Sequence, residues 1–493
     1  MSYGNNLSVV RAVGTGARNA AANGTGVLIK NSDVFHASYL NSGAANAYGA
    51  FVSRFPGALG NSLSVTVIDT GNTAPVGSPA AGLFTSAPGT SDDVANHGGA
   101  NDEIHIAVVD AGGLFTGTKN TVLETFPFVS KASDAMNLGT GSSNYYKQVI
   151  FNQSKYIYAI DPPDYANTSA TWGQTSANTS FASITPKYIS YSLSAGVDSV
   201  PTDANTNSAY DLFSNKEAYD ISLLLTANGS TTVQSHVIDI AATRKDCVAF
   251  ISPPSSAVVN NAGSESSAIS TWLTNLSKSS SYAVADSGWK YQFDVYNNVY
   301  RWIPLNGDIA GLCVATDNVQ DPWYSPAGFN RGSIKNCIKL AWNPSKTYRD
   351  TIYAAGVNPV VSFTGQGTVL FGDKTLQSKP SAFDRINVRR LFIVLEKAIS
   401  MAAQYSLFEF NDEFTRAQFV AMVVPFLREV QGRRGIYDFK VVCDTTNNTP
   451  QVIDSNQFVG DIYIKPARSI NFIQLNFVAV GTGVDFNTIV GAA

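Results

Sequence analysis

Charged residues are scarce in this 493-residue sequence: Asp, Glu, Lys and Arg together make up 14% of it. Soluble proteins average roughly 25%, so much of the surface is expected to be polar but uncharged. Two classes of protein fit this composition. One is a β-rich secreted or capsid-like protein, and the other is a subunit largely covered by copies of itself, because interface cores are depleted in charge.

The sequence also lacks an excess of basic residues, since its net charge is −4. A phosphate backbone requires a basic surface, so we do not expect the chain to bind nucleic acid. No apolar run reaches the roughly 18 residues of a membrane span, and Met1 does not begin a leader with a basic start and an apolar centre. We therefore expect neither export by a signal peptide nor insertion into a membrane.

Residues suited to metal binding or catalysis are few. The cysteines lie far apart in apolar contexts, which predicts buried free thiols in a reducing compartment; they are Cys247, Cys313, Cys337 and Cys443. Two of the four histidines, His97 and His105, lie near acidic residues, the closest being Asp102 and Glu103. A metal or acid–base cluster is one interpretation, and a polar loop beside a strand is the simpler one.

The string from Gly367 to Thr375 approaches a phosphate-binding loop. Asp373, however, precedes Lys374 and would place a carboxylate where a phosphate should lie, and the string leaves a turn as a strand instead of opening a helix. We therefore predict no cofactor, no metal site and no enzyme activity.

Helical signals are clearest near the carboxy terminus. Apolar residues recur at the spacing of one helical face over 386–405. The polar residues assigned to the opposite face are Arg389, Arg390, Glu396 and Lys397. A second helical pattern runs over 411–432, and Pro425 inside it predicts a kink or two short helices, because proline removes a backbone donor.

Three segments with a period of two follow these helices, at 437–443, 461–465 and 473–477. Together with the helices they predict a two-helix, three-strand α+β domain with one solvated face.

Upstream, residues 55–204 read as β-rich with long Ser-, Thr- and Gly-rich loops, and 104–109 with 122–129 predict a hairpin. Residues 205–350 alternate strand and helix in a βαβαβ order, which predicts a parallel sheet. We also expect a short strand within 1–13 and a helix over 331–341. The fold class is therefore α/β and α+β multidomain, with a β-rich outer part, a βαβ-type middle sheet, the carboxy-terminal α+β domain and an extended carboxy-terminal arm.

Several long, non-repetitive stretches of sequence, spread over nearly the whole chain, match a known pattern. They are YGNNLSVVRAV (Tyr3 to Val13), FPGALGNSL (Phe55 to Leu63), RWIPLNGDIAGLCVATDN (Arg301 to Asn318), SPAGFNRG (Ser325 to Gly332), DRINVRRLF (Asp384 to Phe392), GIYDFKVVCDTTNNTP (Gly435 to Pro450) and KPARSINFIQLNFVAVGTG (Lys465 to Gly483). In these strings the chain strongly resembles the contractile tail sheath proteins of myovirus-type bacteriophages.

The resemblance implies a structural subunit that stacks as hexameric rings around an inner tube and contracts to drive that tube through the host envelope. The implied partners are further copies of the chain in a helical sheath, the tail tube protein, and the baseplate and tail terminator proteins. The subunit is expected in the virion tail, after assembly in the host cytoplasm.

The resemblance also implies a division into domains. We expect a truncated amino-terminal segment of the sheath core at 1–54, ahead of which relatives carry an extended arm. The further expected domains are an outward-facing β-rich domain at 55–204, an α/β domain at 205–350, a carboxy-terminal domain facing the tube at 351–480 and an arm at 481–493.

The densest charge cluster comprises Asp384, Arg385, Arg389, Arg390, Glu396 and Lys397. It is either a solvated helix face with intrahelical pairs or, as the resemblance favours, an ionic contact between subunits. The apolar run over 465–480 predicts a strand that adds to a neighbour's sheet edge through main-chain hydrogen bonds. Its predicted contact residues are Lys465, Arg468, Ile473, Leu475 and Phe477.

Alternatives from other classes stay open on the sequence. A β-rich surface adhesin or glycan-binding module could use the Ser-, Thr- and Asn-rich loops and Trp172. A tail-associated hydrolase would need catalytic carboxylates, for which Asp102 and Glu103 are the nearest candidates. Within the sheath class itself, a further possibility is the sheath of a phage-derived injection device that carries no genome, because the sequence does not separate it from a phage sheath.

Overall fold

The structure is a computed structural model that describes residues 3, 4 and 6–471. The chain divides into two compact units. The first unit comprises residues 11–209, and the second comprises the residues up to Val10 together with those from Tyr210 onward. The finer division into five segments stays a prediction.

The first unit is built around an antiparallel sheet. The strands of this unit are β1 (Phe51–Ser53), β2 (Leu63–Asp69), β3 (Glu103–Asp110), β4 (Thr121–Ser130), β5 (Ile157–Ala159) and β6 (Tyr188–Ser192). Its α-helices are α1 (Ser32–Phe35), α2 (Asp92–Asn96), α3 (Tyr146–Gln153) and α4 (Tyr165–Thr168). The sheet has the strand order β4-β3-β2-β6, and β1 pairs with β5. The predicted hairpin is confirmed as β3 and β4.

The central strand β2 is buried on both faces of this sheet. On one face Val65 and Val67 pack in a cluster with Tyr146 of α3. On the other face Ile68 packs against Ala80. Polar and apolar side chains alternate along β2, but none of its residues is exposed. Loop residues such as Ala80 cover the face that a two-layer protein would leave in water.

The second unit alternates strand and helix. Its strands are β7 (Leu223–Leu225), β8 (Val248–Ile251), β9 (Ala283–Asp286), β10 (Trp289–Asp294), β11 (Val299–Pro304), β12 (Lys339–Leu340), β13 (Val357–Asn358), β14 (Val360–Phe363), β15 (Gly367–Leu370), β16 (Ile436–Val442) and β17 (Asp461–Pro466). Helix α5 (Asp203–Tyr210) belongs to the first unit except for its last residue. The α-helices of the second unit are α6 (Thr231–Arg244), α7 (Ser255–Val258), α8 (Glu265–Leu276), α9 (Asn306–Val319), α10 (Lys346–Ala354), α11 (Ile386–Ala403), α12 (Glu413–Gly432) and α13 (Pro450–Asp454).

The predicted parallel sheet is confirmed, with the strand order β13-β9-β8-β7. Strand β8 shows why it forms, since its side chains divide between two cores. Ala249 and Ile251 face the cluster of α6 and α8, whereas Val248 and Phe250 face the cluster of α9. A strand buried on both faces needs this continuous apolar sequence.

Two predicted elements are wrong. The described residues of 3–13 form no strand; Leu7 and Val9 are exposed, and Tyr3 holds the segment by its side chain, donating to Asp308 and accepting from the backbone of Lys335. The predicted helix over 331–341 is instead an irregular segment ending in β12. Its backbone bonds to two strands, with Ile334 N donating to Thr368 O of β15 and β12 pairing with β10.

Helix α12 passes through Pro425 without dividing in two, contrary to one form of the prediction. Phe419, Val423 and Leu427 are buried along one side of it, and this packing outweighs the backbone hydrogen bond that proline removes. The third predicted strand of this region and the arm lie outside the described residues.

Asp286 ends β9 at the carboxyl edge of the parallel sheet, the edge where α/β folds usually bind ligands. It is buried, accepts from Ser252 Oγ at 2.6 Å and from Gly288 N at 2.9 Å, and Ser252 in turn accepts from Asn306. Burial raises the pKa of Asp286 to about 8, although both hydrogen bonds oppose the shift and Asp308 adds to it. This edge is thus closed by the protein's own polar groups.

We expect Asp286→Asn to change how stability depends on pH. Because the folded pKa lies above the unfolded one, the folded state binds the proton more tightly, and the carboxyl's contribution is lost as pH rises from about 4 to about 8. The unfolding free energy of the wild type should therefore fall relative to that of the variant across this window, by at most about 1.4 kcal/mol per pH unit. Denaturant titrations at several pH values measure the difference, and parallel curves would contradict the assignment.

Candidate interaction surface

The last part of the second unit packs two helices against a hairpin. Leu391 and Leu395 of α11 share a core with Phe419 and Leu427 of α12 and with Ile436 of β16. Asp412 caps α12, its carboxylate accepting from Thr415 N at 2.8 Å. The described portion of the predicted α+β domain, two helices with two antiparallel strands, is therefore present.

An apolar groove runs between α12 and β16. Its volume is about 520 Å³, and its lining comprises Ala417, Val420, Ala421, Val424, Pro425, Val441, Cys443 and Asp444. Within the described residues, β16 and β17 pair only with each other. Each therefore has one edge without a neighbouring strand, and such an edge is the template that another strand needs. On β16, Tyr437 O accepts from the side chain of Gln431, and Phe439 N donates to the side chain of Asp438.

Exposed aromatic side chains continue the apolar surface beyond the groove. Tyr405, Phe408 and Phe410 in the connection from α11 to α12, and Phe414 in the first turn of α12, are more than three-quarters exposed. Phe414 lies three and seven residues before the groove residues Ala417 and Ala421, on the same face of α12. An apolar surface of this extent is typical of a protein–protein contact. Its signal in the sequence is the cluster of aromatic residues between two predicted helices.

The structure brings three of the predicted contact residues together. Asp384, Arg385 and Arg468 line a second cavity of about 320 Å³. Arg385 donates to the hydroxyl of Tyr353 at 2.7 Å, while Arg468 is exposed.

Arg389 and Arg390 do not lie on a polar helix face, so that prediction is wrong. Both are buried. The guanidinium of Arg389 lies 4.1 Å from the ring centre of Tyr282 and donates to Ser281 Oγ at 2.7 Å. Burial lowers its pKa. The apolar ring faces around Arg389 replace the water that a charged side chain otherwise needs.

Arg390 pairs with Asp317 of α9 at 2.5 Å. Burial raises the pKa of Asp317, and the charge of Arg390 opposes that rise. The two arginines thus attach α11 to the α/β part of the same unit. Their contact with a neighbouring subunit stays a prediction.

The remaining predicted contact residues belong to the end of the described chain. Lys465 in β17 is exposed, and its amino group lies 3.3 Å from the carboxylate of Asp438. Ile473, Leu475 and Phe477 lie outside the described residues.

Residues that would support the alternative functions have structural roles. Trp172 is buried and donates from Nε1 to the carbonyl of Ala182 at 2.8 Å, so its ring is not available to stack on a sugar. Asp102 is buried and accepts from Ser91 and Ser130. Among the residues that the structure describes, no three His, Cys, Asp or Glu side chains could hold a metal, and no helix is long and apolar enough to cross a membrane.

An apolar groove beside open strand edges is typical of a protein that assembles with other chains. Two family models match the chain: the phage tail sheath protein central domain over residues 203–376, and the phage tail sheath C-terminal domain over residues 378–479. The tail sheath protein of Salmonella phage ViI is 32% identical, with 99% of this chain and 86% of the relative covered. The chain belongs to the phage tail sheath protein family.

Two further tail sheath proteins are similar to it. That of Vibrio phage KVP40 is 51% identical over 57% of this chain, and that of Enterobacteria phage T4 is 38% identical over 90% of it. The chain spans 45% and 66% of these relatives' lengths. The crystal structure of a sheath tail protein from Listeria innocua aligns with 84% of this chain and 78% of its own, at 8% identity and a TM-score of 0.47.

Arg390→Ala is expected to lower the unfolding free energy by about 2 kcal/mol, because it removes a buried side chain, leaves a cavity and breaks the ion pair with the partly exposed Asp317. Lys465→Ala removes an exposed pair and should cost less than about 1 kcal/mol. Urea denaturation of both variants compares the two sites directly. Equal losses would show that Arg390 does not hold α11 in place.

Proposed function

We propose that this chain is the structural subunit of a contractile phage tail sheath. Its copies stack as hexameric rings around the inner tail tube, and shortening of the array drives the tube through the host envelope. Membership of the tail sheath family supports the role. The observation that carries it is the apolar groove of α12 and β16, beside strands whose outer edges are open.

Copies are linked by strand addition in this proposal. Residues 472–480 of one copy, with Ile473, Leu475 and Phe477 in alternation, extend along an open edge of the β16–β17 hairpin in another. The main chain supplies hydrogen bonds, and the alternate apolar side chains fill the groove. Burial of the apolar side chains stabilises the added strand by roughly 25 cal/mol per Å² of apolar surface removed from water. In this proposal the added strand stays bound while the rigid parts of neighbouring subunits rotate.

Ionic contacts set the geometry of the ring. Asp384, Arg385, Arg468 and Lys465 are the groups that we assign to contacts with a neighbouring copy. Arg389 and Arg390 act from within the subunit by fixing α11, on which the surface is built. The free energy for contraction resides in subunit packing, which is released from a kinetically trapped array without nucleotide hydrolysis.

The partners follow from this role: the tail tube protein on the inner side, and the baseplate and tail terminator proteins at the ends of the sheath. We assign residues 351–480 to the side that faces the tube and 55–204 to the outer side, with 481–493 as an arm. The subunit assembles in the host cytoplasm and becomes part of the virion tail. We infer no enzymatic role.

Ala421→Glu tests the groove. It places a carboxylate among apolar side chains, and an unpaired charge buried in an interface costs several kcal/mol. Because Ala421 is exposed in the single chain, the variant should fold normally and assemble at least about a hundredfold less well. Negative-stain electron microscopy and sedimentation over a concentration series measure rings and tubes.

Gln418→Glu is the matched control, since it adds the same charge to an exposed position of the same helix without lining the groove. It should assemble as the wild type does. Equal assembly by Ala421→Glu, or a wild-type chain that stays monomeric at all concentrations, would count against the proposed function.

A further inference from the structure

Asp373 gathers hydrogen-bond donors from several distant parts of the second unit. Its carboxylate is 1% exposed. One oxygen, Oδ2, accepts from Ser325 Oγ at 3.0 Å and from Ser469 Oγ at 2.6 Å. The other, Oδ1, accepts from Asn471 Nδ2 at 2.9 Å, and the Tyr353 hydroxyl and Arg385 Nη1 each lie 3.4 Å away.

This arrangement explains the departure of residues 367–375 from a phosphate-binding loop. A carboxylate buried without partners is costly, whereas hydrogen bonds to an ionised acceptor are among the strongest in proteins. Asp373 supplies, from its own side chain, the negative charge that a phosphate would bring to a phosphate-binding loop. Hydrogen-bond donors converge on this carboxylate as they would on a bound anion. Its charge is therefore used to hold other segments of the chain.

Two of these donors, Ser469 and Asn471, come from the segment that follows β17. The backbone of this segment has its last described hydrogen bond at Ala467, whose N–H donates to Gly435 O at 3.1 Å. Ile470 is 82% exposed and adds little packing. Side-chain contacts to Asp373 are therefore the main attachment of residues 468–471 to the body of the unit.

We propose that Asp373 is a positioning residue that fixes the point from which residues 472–493 extend to a neighbouring copy. The part of this inference that concerns neighbours rests on the proposed sheath function; the anchoring of residues 468–471 does not. The other donors set the position of the carboxylate itself, since Tyr353 lies on α10 and Arg385 immediately precedes α11. Movement between α10 and α11 would consequently alter the direction in which the terminal segment leaves.

The test compares two variants of the full chain as monomers. Asp373→Asn removes the charge but keeps the size, and a double variant, Ser469→Ala with Asn471→Ala, removes the donors without altering the body. Both should raise backbone hydrogen exchange at Ala467, the last amide of the segment that donates to the body of the unit, by about tenfold or more, because each loses the charge-assisted hydrogen bonds that hold the residues just after it. Exchange in α9 and β8 should be unchanged in the double variant. Combining both changes should add little to Asp373→Asn alone.

Ile470→Ala is the matched control, since it lies in the same segment but makes no contact with Asp373, and its exchange should equal that of the wild type. Unchanged exchange at Ala467 in both test variants would overturn the anchor.

Assembly of the double variant is then measured under conditions where the wild type forms rings or tubes. A loss of about tenfold or more is expected, and wild-type assembly despite raised exchange would overturn the role of the anchor between copies. A wild type that never assembles would refute the proposed function while the exchange result still decides the anchor.

Discussion

A charged group inside a protein must be surrounded by partners, and this constraint shapes the whole chain because much of its small supply of charge is buried. Lys131 and Asp69 form a pair with no exposure in the first unit. In the second, Lys290 pairs with Asp308, and Asp373 binds segments that lie far apart in sequence. Each such carboxylate is held by hydrogen bonds that only the folded chain can supply. The surface is about as poor in charge as the composition, which is 14% charged.

A charge-poor surface favours contact with other protein chains. Around α12 the surface is apolar as well, and the adjacent hairpin keeps open edges within the described residues. In an isolated protein such edges invite aggregation, and natural proteins usually protect them with charges, bulges or covering loops. In a subunit of an ordered array, the same features provide directional contacts. In the proposed sheath, the open edges and the apolar surface that would make a single chain aggregate instead form the contacts between copies.

Helix α11 takes part both in the burial of charged groups and in the core beneath the apolar surface of α12. Its apolar face completes the core with α12, while Arg389 and Arg390 attach its other side to aromatic rings and to α9. Two of the charges that the sequence suggested as intersubunit contacts, Arg389 and Arg390, thus lie beneath the surface. Arg385 and Arg468, by contrast, line a cavity where a neighbouring chain could reach them.

The sequence by itself determined the features that depend on local periodicity. The βαβαβ order, the β3–β4 hairpin, both carboxy-terminal helices and the family resemblance all follow from spacing or from long strings of residues. Tertiary structure decided the rest. It kept α12 continuous through Pro425, because a buried face outweighs one lost hydrogen bond, and it replaced the helix predicted over 331–341 with an irregular segment that ends in a strand beside β10. It also buried Arg389 and Arg390 and brought Asp373 to Ser469, since burial and partners depend on which distant segments pack together.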